Sequence, residues 1–405
     1  MTVGTRIHYM DNLRALAMLA GVVFHAALAH SPLLHSYWPT ADTGSSEVVD
    51  VVAWFFHLFR MPLFFVVAGF FAALLVGRGG LAGLFHNRLA RVGRPLIVFL
   101  PLVTISLRLL TLHAAETAGH PSPVLEWIRS HVQENGALPW SFSLAHLWFL
   151  WYLLLFTLLT WVGSTLELGR VGPWLAARPA WVIPLALPVL LAPALALVTV
   201  PWPAPESFLP ALWALVYFGA HFALGYQLFH RPQWLDRLRP GLPAMLFGAV
   251  AAYAGLAWLQ DAPSDGSVAL WRHLIHAVLE SYSAFWMTLA SLLAGRRWLD
   301  GHSPAMRWLA DGSYWVYLVH LPVLFAIQYE LLDVAMVWPA KFAVSVAGTL
   351  AISFLSYAWC IRRTVFGRWL DGRRVTSTPI TGAASEEAAG APKKSHFYLP
   401  RNLRR

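Results

Sequence analysis

Leu13-Arg14-Ala15-Leu16-Ala17-Met18-Leu19-Ala20-Gly21-Val22-Val23-Phe24-His25 opens the first apolar run of the chain, and it carries two ionisable side chains. An ionisable group within a membrane helix is costly enough that its default reading is functional. The eleven steps from Arg14 to His25 make about 16 Å of helix, about half the thickness of a hydrocarbon core. Arg14 can then meet the cytoplasmic headgroups while His25 sits deep among the helices, so that one helix addresses both sides of a membrane.

The remainder of the chain supports that reading. Of its 405 residues 58% are hydrophobic and 12% charged, and the mean hydropathy is +0.56, far too apolar for a soluble domain of this length. Apolar runs long enough to span lie near residues 13–32, 50–76, 95–113, 144–163, 181–200, 211–230, 242–260, 273–295, 313–332 and 340–361. They predict an all-α integral membrane protein, a bundle of about ten transmembrane helices. The fifth run is the weakest, because Pro184, Pro188 and Pro193 interrupt it. A bundle tolerates such prolines when neighbouring groups satisfy the freed carbonyls.

Charges between the runs alternate in sign. Basic residues come first with Arg6 and Arg14, then with Arg78, Arg88, Arg91 and Arg94, with Arg170 and Arg178, with Arg231, Arg237 and Arg239, and with Arg296, Arg297 and Arg307. The intervening loops carry Asp42, Glu47, Glu116, Glu126, Glu134, Glu206, Asp261, Asp265, Glu330 and Asp333, with Arg129 and Arg272 as basic exceptions. By the positive-inside rule both termini are cytoplasmic. Residues 1–362 then form one transmembrane domain and 363–405 a basic, disordered cytoplasmic tail, in which Arg363, Arg368, Arg373 and Arg374 continue the cluster begun by Arg362. The net charge of +9 is accounted for by this topology and by attraction to anionic membrane lipids, so nucleic acid is not expected as a partner. Cys360 is the only cysteine, which excludes an intramolecular disulfide and reads as a packing residue. Ala27-Leu28-Ala29 can pass for a signal-peptidase site, but cleavage there would discard Arg14 and His25.

Further polar groups fall within the runs: His57 and Arg60 in the second, His146 in the fourth, His221 in the sixth, His276 and Glu280 in the eighth, and His320 in the ninth. Singly, each histidine is explained by interhelical hydrogen bonding. As a set they suggest a buried polar site. His57 and Arg60, three apart, share a helical face against which an anion or carboxylate can sit. Glu280 is a candidate partner for Arg60 or an orienter of His25. In the first basic loop Arg88 and Arg91 are spaced to face one way on a helix, where they can grip a phosphate-bearing cytosolic molecule or simply mark the cytoplasmic side.

Five short motifs in order resemble the acyltransferase 3 family of integral membrane O-acyltransferases. They are Asp11-Asn12-Leu13-Arg14 leading to His25, Phe64-Phe65-Val66-Val67-Ala68-Gly69-Phe70, Arg88-Leu89-Ala90-Arg91 before Pro95, His146-Leu147-Trp148-Phe149-Leu150, and Tyr314-Trp315-Val316-Tyr317-Leu318-Val319-His320-Leu321-Pro322. Ala68 stands where many members have serine, so no obligatory serine nucleophile acts there. The stretch from Phe56 to Phe65 and the His146 motif look most like the branch thought to succinylate osmoregulated periplasmic glucans.

The resemblance implies O-acyl transfer in the bacterial inner membrane, from cytosolic acyl-CoA (succinyl-CoA or acetyl-CoA) to a hydroxyl of a periplasmic or surface glycan, with no bound cofactor or metal. Glucan-synthesis proteins are candidate partners in the same scheme. In that scheme His25, Arg14 and Glu280 form the catalytic set, with His25 as general base or acyl carrier. Arg14, Arg88 and Arg91 hold the coenzyme A phosphates, and His57, Arg60, His146 and His320 contact substrate. Acidic outer loops favour a neutral glucan over an anionic acceptor. A transporter or flippase that uses the same deep charges as a substrate path, and a non-catalytic scaffold, are the rival readings. No paired discontinuous helices or internal repeat support the transporter.

Overall fold

The computed structural model describes residues 7–140, 142–165, 179–199, 203–261, 270–362, 364 and 367. Arg6, Arg170, Arg178, Asp265 and, apart from Thr364 and Gly367, the predicted tail with Arg363, Arg368, Arg373 and Arg374 lie outside them. The described chain is helical, with no strands. In order come α1 (His8–Leu28), α2 (Glu47–Arg88), a π-helical turn (Leu89–Gly93), α3 (Arg94–Thr117), α4 (Pro123–Asn135) and α5 (Trp148–Thr165). They are followed by α6 (Val182–Leu195), α7 (Leu212–His230), the short α8 (Gln233–Leu238), α9 (Leu242–Asp261), α10 (Leu270–Trp298), α11 (Pro304–Leu331) and α12 (Trp338–Ser356). Each of the predicted apolar runs falls on a helix. By length and composition 8 helical stretches suffice to cross a membrane, one of them the continuous 71 residues from Glu47 to Thr117 that contains both α2 and α3.

The boundaries depart from the pattern where tertiary contacts take over. α1 starts and stops earlier than the run 13–32. Asn12 Nδ2 donates to the Leu299 carbonyl at 2.8 Å and the Tyr9 amide to Asp300 at 3.3 Å, which anchors a polar first turn on the α10–α11 connection. Beyond Leu28 the chain turns back on itself, with Asp42 N bonded to Ala29 O and Ser46 N to His30 O. His25 therefore stands in the last turn of α1. Its depth comes from the polypeptide that covers it, not from distance along the helix.

α2 is too long for one crossing, at 42 residues, and it bends at Gly79 and Gly80. Gly80 has φ +63°, a left-handed conformation that glycine adopts without strain. After the bend the chain returns to the bundle, and Arg88 Nη2 donates to the Ala68 carbonyl at 3.1 Å.

α6 is a correction to the sequence reading, because its 14 residues reach only about 21 Å, short of a hydrocarbon core. The prolines explain both the shortening and its tolerance. Pro188 has no N–H for the Pro184 carbonyl one turn earlier, and the Trp286 indole of α10 donates to that carbonyl at 2.8 Å. Tyr282, also on α10, donates to the Leu185 carbonyl at 2.7 Å.

The tightest crossing is that of α2 with α7. A Cβ placed on Gly69 would run into the Phe222 backbone carbonyl, and one on Gly225 into the Val66 carbonyl. Two backbones thus meet through paired glycines, as small residues allow between membrane helices.

Candidate active site

α1, α2, α11 and the short 3-10 turn Ala145–Leu147 that leads into α5 bring a cluster of imidazoles together near the end of the bundle that bears the acidic loops. His25 Nδ1 lies 3.0 Å from His320 Nε2, and the rings stack with centroids 5.2 Å apart and planes 10° from parallel. The backbone assigns the protons. His320 Nδ1 faces the Tyr317 carbonyl at 2.8 Å and the Val316 carbonyl at 3.2 Å. A carbonyl only accepts, so Nδ1 carries the hydrogen and Nε2 of the neutral ring is an acceptor. His25 must then donate from Nδ1, which leaves the lone pair of His25 on Nε2. An imidazole held in this tautomer is arranged as a base.

His146 enters the same cluster for a reason visible in α11. Pro322 offers no N–H to the Leu318 carbonyl, which opens the helix ladder there. His146 docks beside the opening. Its Nε2 donates to the Tyr317 carbonyl at 3.0 Å, the Leu318 backbone acts on the same ring electrostatically, and the ring stands 4.8 Å from that of His320. Tyr317 returns the contact, its hydroxyl donating to the His146 carbonyl at 2.8 Å. Tyr317 lies in a motif quoted above, yet no role was assigned to it from sequence. Pro322, one turn beyond Leu318, was the available signal.

Arg60 supplies the positive charge of the cluster. Its guanidinium sits 4.6 Å from the Phe24 ring centre, Gly21 leaves room for its Nη1, and it is an electrostatic neighbour of His25 together with His57, His146 and His320. Arg60 is buried and forms no ion pair among the described residues. His57 stacks on the same Phe24 ring at 4.8 Å. Glu280 is fully buried, with Tyr217 on α7 among its electrostatic neighbours. The orienting contact on His25 comes from His320. Among the described residues no group of three or more His, Cys, Asp or Glu is arranged to hold a metal ion.

The opposite end of the same helices holds the arginines. Arg14 pairs with Asp11 at 3.5 Å and lies 5.7 Å from the Phe71 ring centre. Arg88 is within electrostatic reach of Arg14, Arg91 and Tyr314. The π-helical turn from Leu89 alters the register assumed from sequence. Arg88 turns inward to Ala68, whereas Arg91 lines a cavity of about 230 Å³ with Arg78, His86 and Asn87. Tyr314 fixes that turn, its hydroxyl donating to the Arg91 carbonyl at 2.7 Å. α1, α2 and α11 thus each contribute to both clusters.

Over His25 lies a loop that the hydropathy pattern did not single out. Buried Lys341 binds buried Asp42 at 2.6 Å, Ser31 hydrogen-bonds to Asp50, Thr40 donates to Gln328 at 2.7 Å and Ser122 to the Pro39 carbonyl at 2.6 Å. His30, buried beneath, contacts the Gly44 carbonyl through Nδ1 at 2.8 Å. Burial pulls the pKa of His30 below the ordinary imidazole value, against the opposing effects of that carbonyl and Asp42. The loop places Trp38 with its ring 6.3 Å from that of His25.

Comparison with known proteins adds to this geometry. A family model described as an acyltransferase domain, that of the acyltransferase 3 family, matches residues 7–358. Glucans biosynthesis protein C of Salmonella typhi and that of Salmonella typhimurium are each 27% identical over 327 residues, which cover 78% of this chain and 82% of theirs. The protein of the same name from Salmonella paratyphi B is 28% identical over 333 residues, with the same coverage. No solved structure matches.

Proposed function

The chain belongs to the acyltransferase 3 family and is a multi-pass membrane acyltransferase, and from that premise we propose that it moves an acyl group from acyl-CoA at the arginine end to a glycan hydroxyl at the acidic-loop end. The relatives named for glucan biosynthesis make a periplasmic glucan the first candidate acceptor, with succinyl-CoA or acetyl-CoA as donor. Alternating loop charge supports cytoplasmic termini and an inner-membrane location for this reaction.

The observation that carries the reading is the 3.0 Å contact of His25 Nδ1 with His320 Nε2, whose ring is tied at Nδ1 to the Tyr317 carbonyl, a pattern that assigns the lone pair of His25 to Nε2. In the reaction Nε2 takes the proton of the sugar hydroxyl as its oxygen attacks the thioester carbon. The C–S bond then breaks, and the thiol of coenzyme A leaves with that proton. Negative charge develops on the thioester oxygen between these events, and Arg60, a buried cation beside His25, is placed to stabilise it. Arg91 and Arg78, in the 230 Å³ cavity, hold the phosphates of the donor, with Arg14 and the inward-turned Arg88 adding positive charge behind them. That end is about 16 Å of α1 from His25, a separation that an extended thioester arm must cross.

The test uses purified protein in nanodiscs with succinyl-CoA or acetyl-CoA and a neutral β-glucan oligosaccharide. Free thiol should appear in proportion to acylated oligosaccharide found by mass spectrometry. Thioester consumption that never yields acylated glycan, with either donor, would end the acceptor assignment.

A further inference from the structure

Resting on the acyl-transfer reading, we propose that Trp38 and Trp54 form the acceptor subsite, receiving a neutral pyranose ring beside His25. Trp38 comes from the loop over α1, and Trp54 lies on α2 one turn nearer the Glu47 end than His57. Both stand in the ring shell around the base. Trp38 is 6.3 Å from His25, while Trp54 is 5.1 Å from His57 and 5.9 Å from Phe24. Phe24 in turn is 5.5 Å from His25.

The indole nitrogens point to the ligand. An indole N–H is a donor and nothing else, and both Trp38 Nε1 and Trp54 Nε1 are buried without a hydrogen-bond partner. A buried donor without an acceptor destabilises the fold. Both residues are half-buried, so each keeps some exposed surface. A sugar satisfies both demands at once. Its hydroxyl oxygens accept from indole N–H groups, and its axial C–H face lies against an aromatic plane.

The charges of the loop over the site are matched within the protein, so the loop offers a neutral ring no ionic contact. Asp42 is matched by Lys341 and the Gly44 amide, and Asp50 by Ser31 and the Leu33 amide. No ionised side chain of the loop is left to demand a counter-charge. The same contacts, with those of Thr40 and Ser122, hold Trp38 in place before substrate arrives, which lowers the ordering cost of binding.

The experiment measures binding and turnover separately, on the full chain in nanodiscs, with a radiolabelled neutral β-glucan oligosaccharide as ligand and succinyl-CoA or acetyl-CoA as donor. Phe keeps the aromatic face and loses the N–H, whereas Ala loses both. Trp38→Phe and Trp54→Phe should each weaken oligosaccharide binding and raise the acceptor KM by about tenfold, the equivalent of one lost hydrogen bond. The alanine variants should lose more, and the donor KM should stay at the wild-type value in all of them. A doubly substituted Phe variant, eluting as wild type, that binds oligosaccharide with unaltered affinity overturns the subsite. Wild-type protein that binds the oligosaccharide through these two residues but never acylates it leaves the subsite standing and overturns the acyl-transfer reading instead.

Discussion

The Nδ1 atom of His25 and the Nε2 atom of His320 are 3.0 Å apart, and the second ring is itself tied to the carbonyl of Tyr317 at 2.8 Å. A chain of two imidazoles ending on a backbone carbonyl has one consistent set of neutral tautomers. The carbonyl cannot donate, so the proton pattern runs outward from it and leaves the lone pair at the far end, on His25 Nε2. A positioned carboxylate would attract the proton of His25 more strongly. Here the orienter is neutral.

Replacement of His25 by Ala should abolish acyl transfer, with a loss of about 10² to 10⁴ in kcat, while membrane insertion and donor binding are kept. His320→Ala should be milder, because the base remains and only its tautomer and orientation are released. The expected signature is a fall in kcat with little change in the acceptor or donor KM, partly recovered in His320→Gln if the amide oxygen accepts from His25. A His320→Ala enzyme with wild-type kcat would remove its positioning role.

Arg60 is expected to act on the transition state more than on bound substrate. Arg60→Ala should lower kcat by about 10² to 10³, the range for losing one charge-stabilising donor, with the donor KM changed far less. Arg60→Lys should restore part of this, since a point charge replaces a planar fork. Equal losses in kcat and donor affinity would instead assign Arg60 to a carboxylate of the acyl group.

How far the sequence carried this picture depends on which force set each feature. Membrane spans were readable because every buried backbone group must be satisfied within helices, which imposes long apolar runs. His25, His57, Arg60, His146 and His320 stood out as ionisable groups in apolar surroundings, and the fold draws them together from α1, α2, α11 and the turn before α5. The position of Glu280 beside Tyr217 was not readable, because sequence gives depth in a helix but not the rotation that selects a neighbour. Arg88 and Arg91 diverge through a π-helical turn that no periodic pattern announces. Trp38 lies in a connecting loop, and its place near His25 depends on ion pairing between Asp42 and Lys341, 299 residues apart.

The two arginines of that divergent turn should separate in their effects. Arg91→Ala should raise the donor KM with thermal stability retained, because the side chain lines an open cavity. Arg88→Ala should lower the unfolding temperature as well, since it frees the Ala68 carbonyl within the bundle. Identical donor KM values for Arg91→Ala and wild type would leave that arginine as a topological charge only.

His30 gives the loop over the site a pH dependence. Its pKa is lowered in the folded protein by burial, so the folded state favours the neutral ring. The stability it contributes is complete above its unfolded pKa of about 6.5 and declines as pH falls below that value. Amide exchange in residues 30–46 should therefore accelerate between about pH 6.5 and pH 5, and His30→Gln should flatten the profile. Exchange that is independent of pH across this interval, after correction for the intrinsic rate, would sever His30 from the loop's stability.

The contact between α2 and α7 should be the least tolerant of added volume. A Cβ on Gly69 meets the Phe222 carbonyl, and a backbone carbonyl held in a helix cannot rotate away as a side chain can. Gly69→Ala must therefore push the helices apart or bend one of them, at a cost of about 1–3 kcal/mol or more for an overpacked core. Gly77, on the same helix, is the internal control. Its Cβ would lie 3.8 Å from the edge of Phe229, an ordinary contact, and alanine there gains helix propensity. Thermal unfolding in detergent should show a lower transition for Gly69→Ala and an unchanged or higher one for Gly77→Ala. Because α2 carries His57 and Arg60, a shift at Gly69 should also lower kcat without direct contact to either residue. Equal unfolding temperatures for the two variants would show that the crossing is looser than the paired glycines imply.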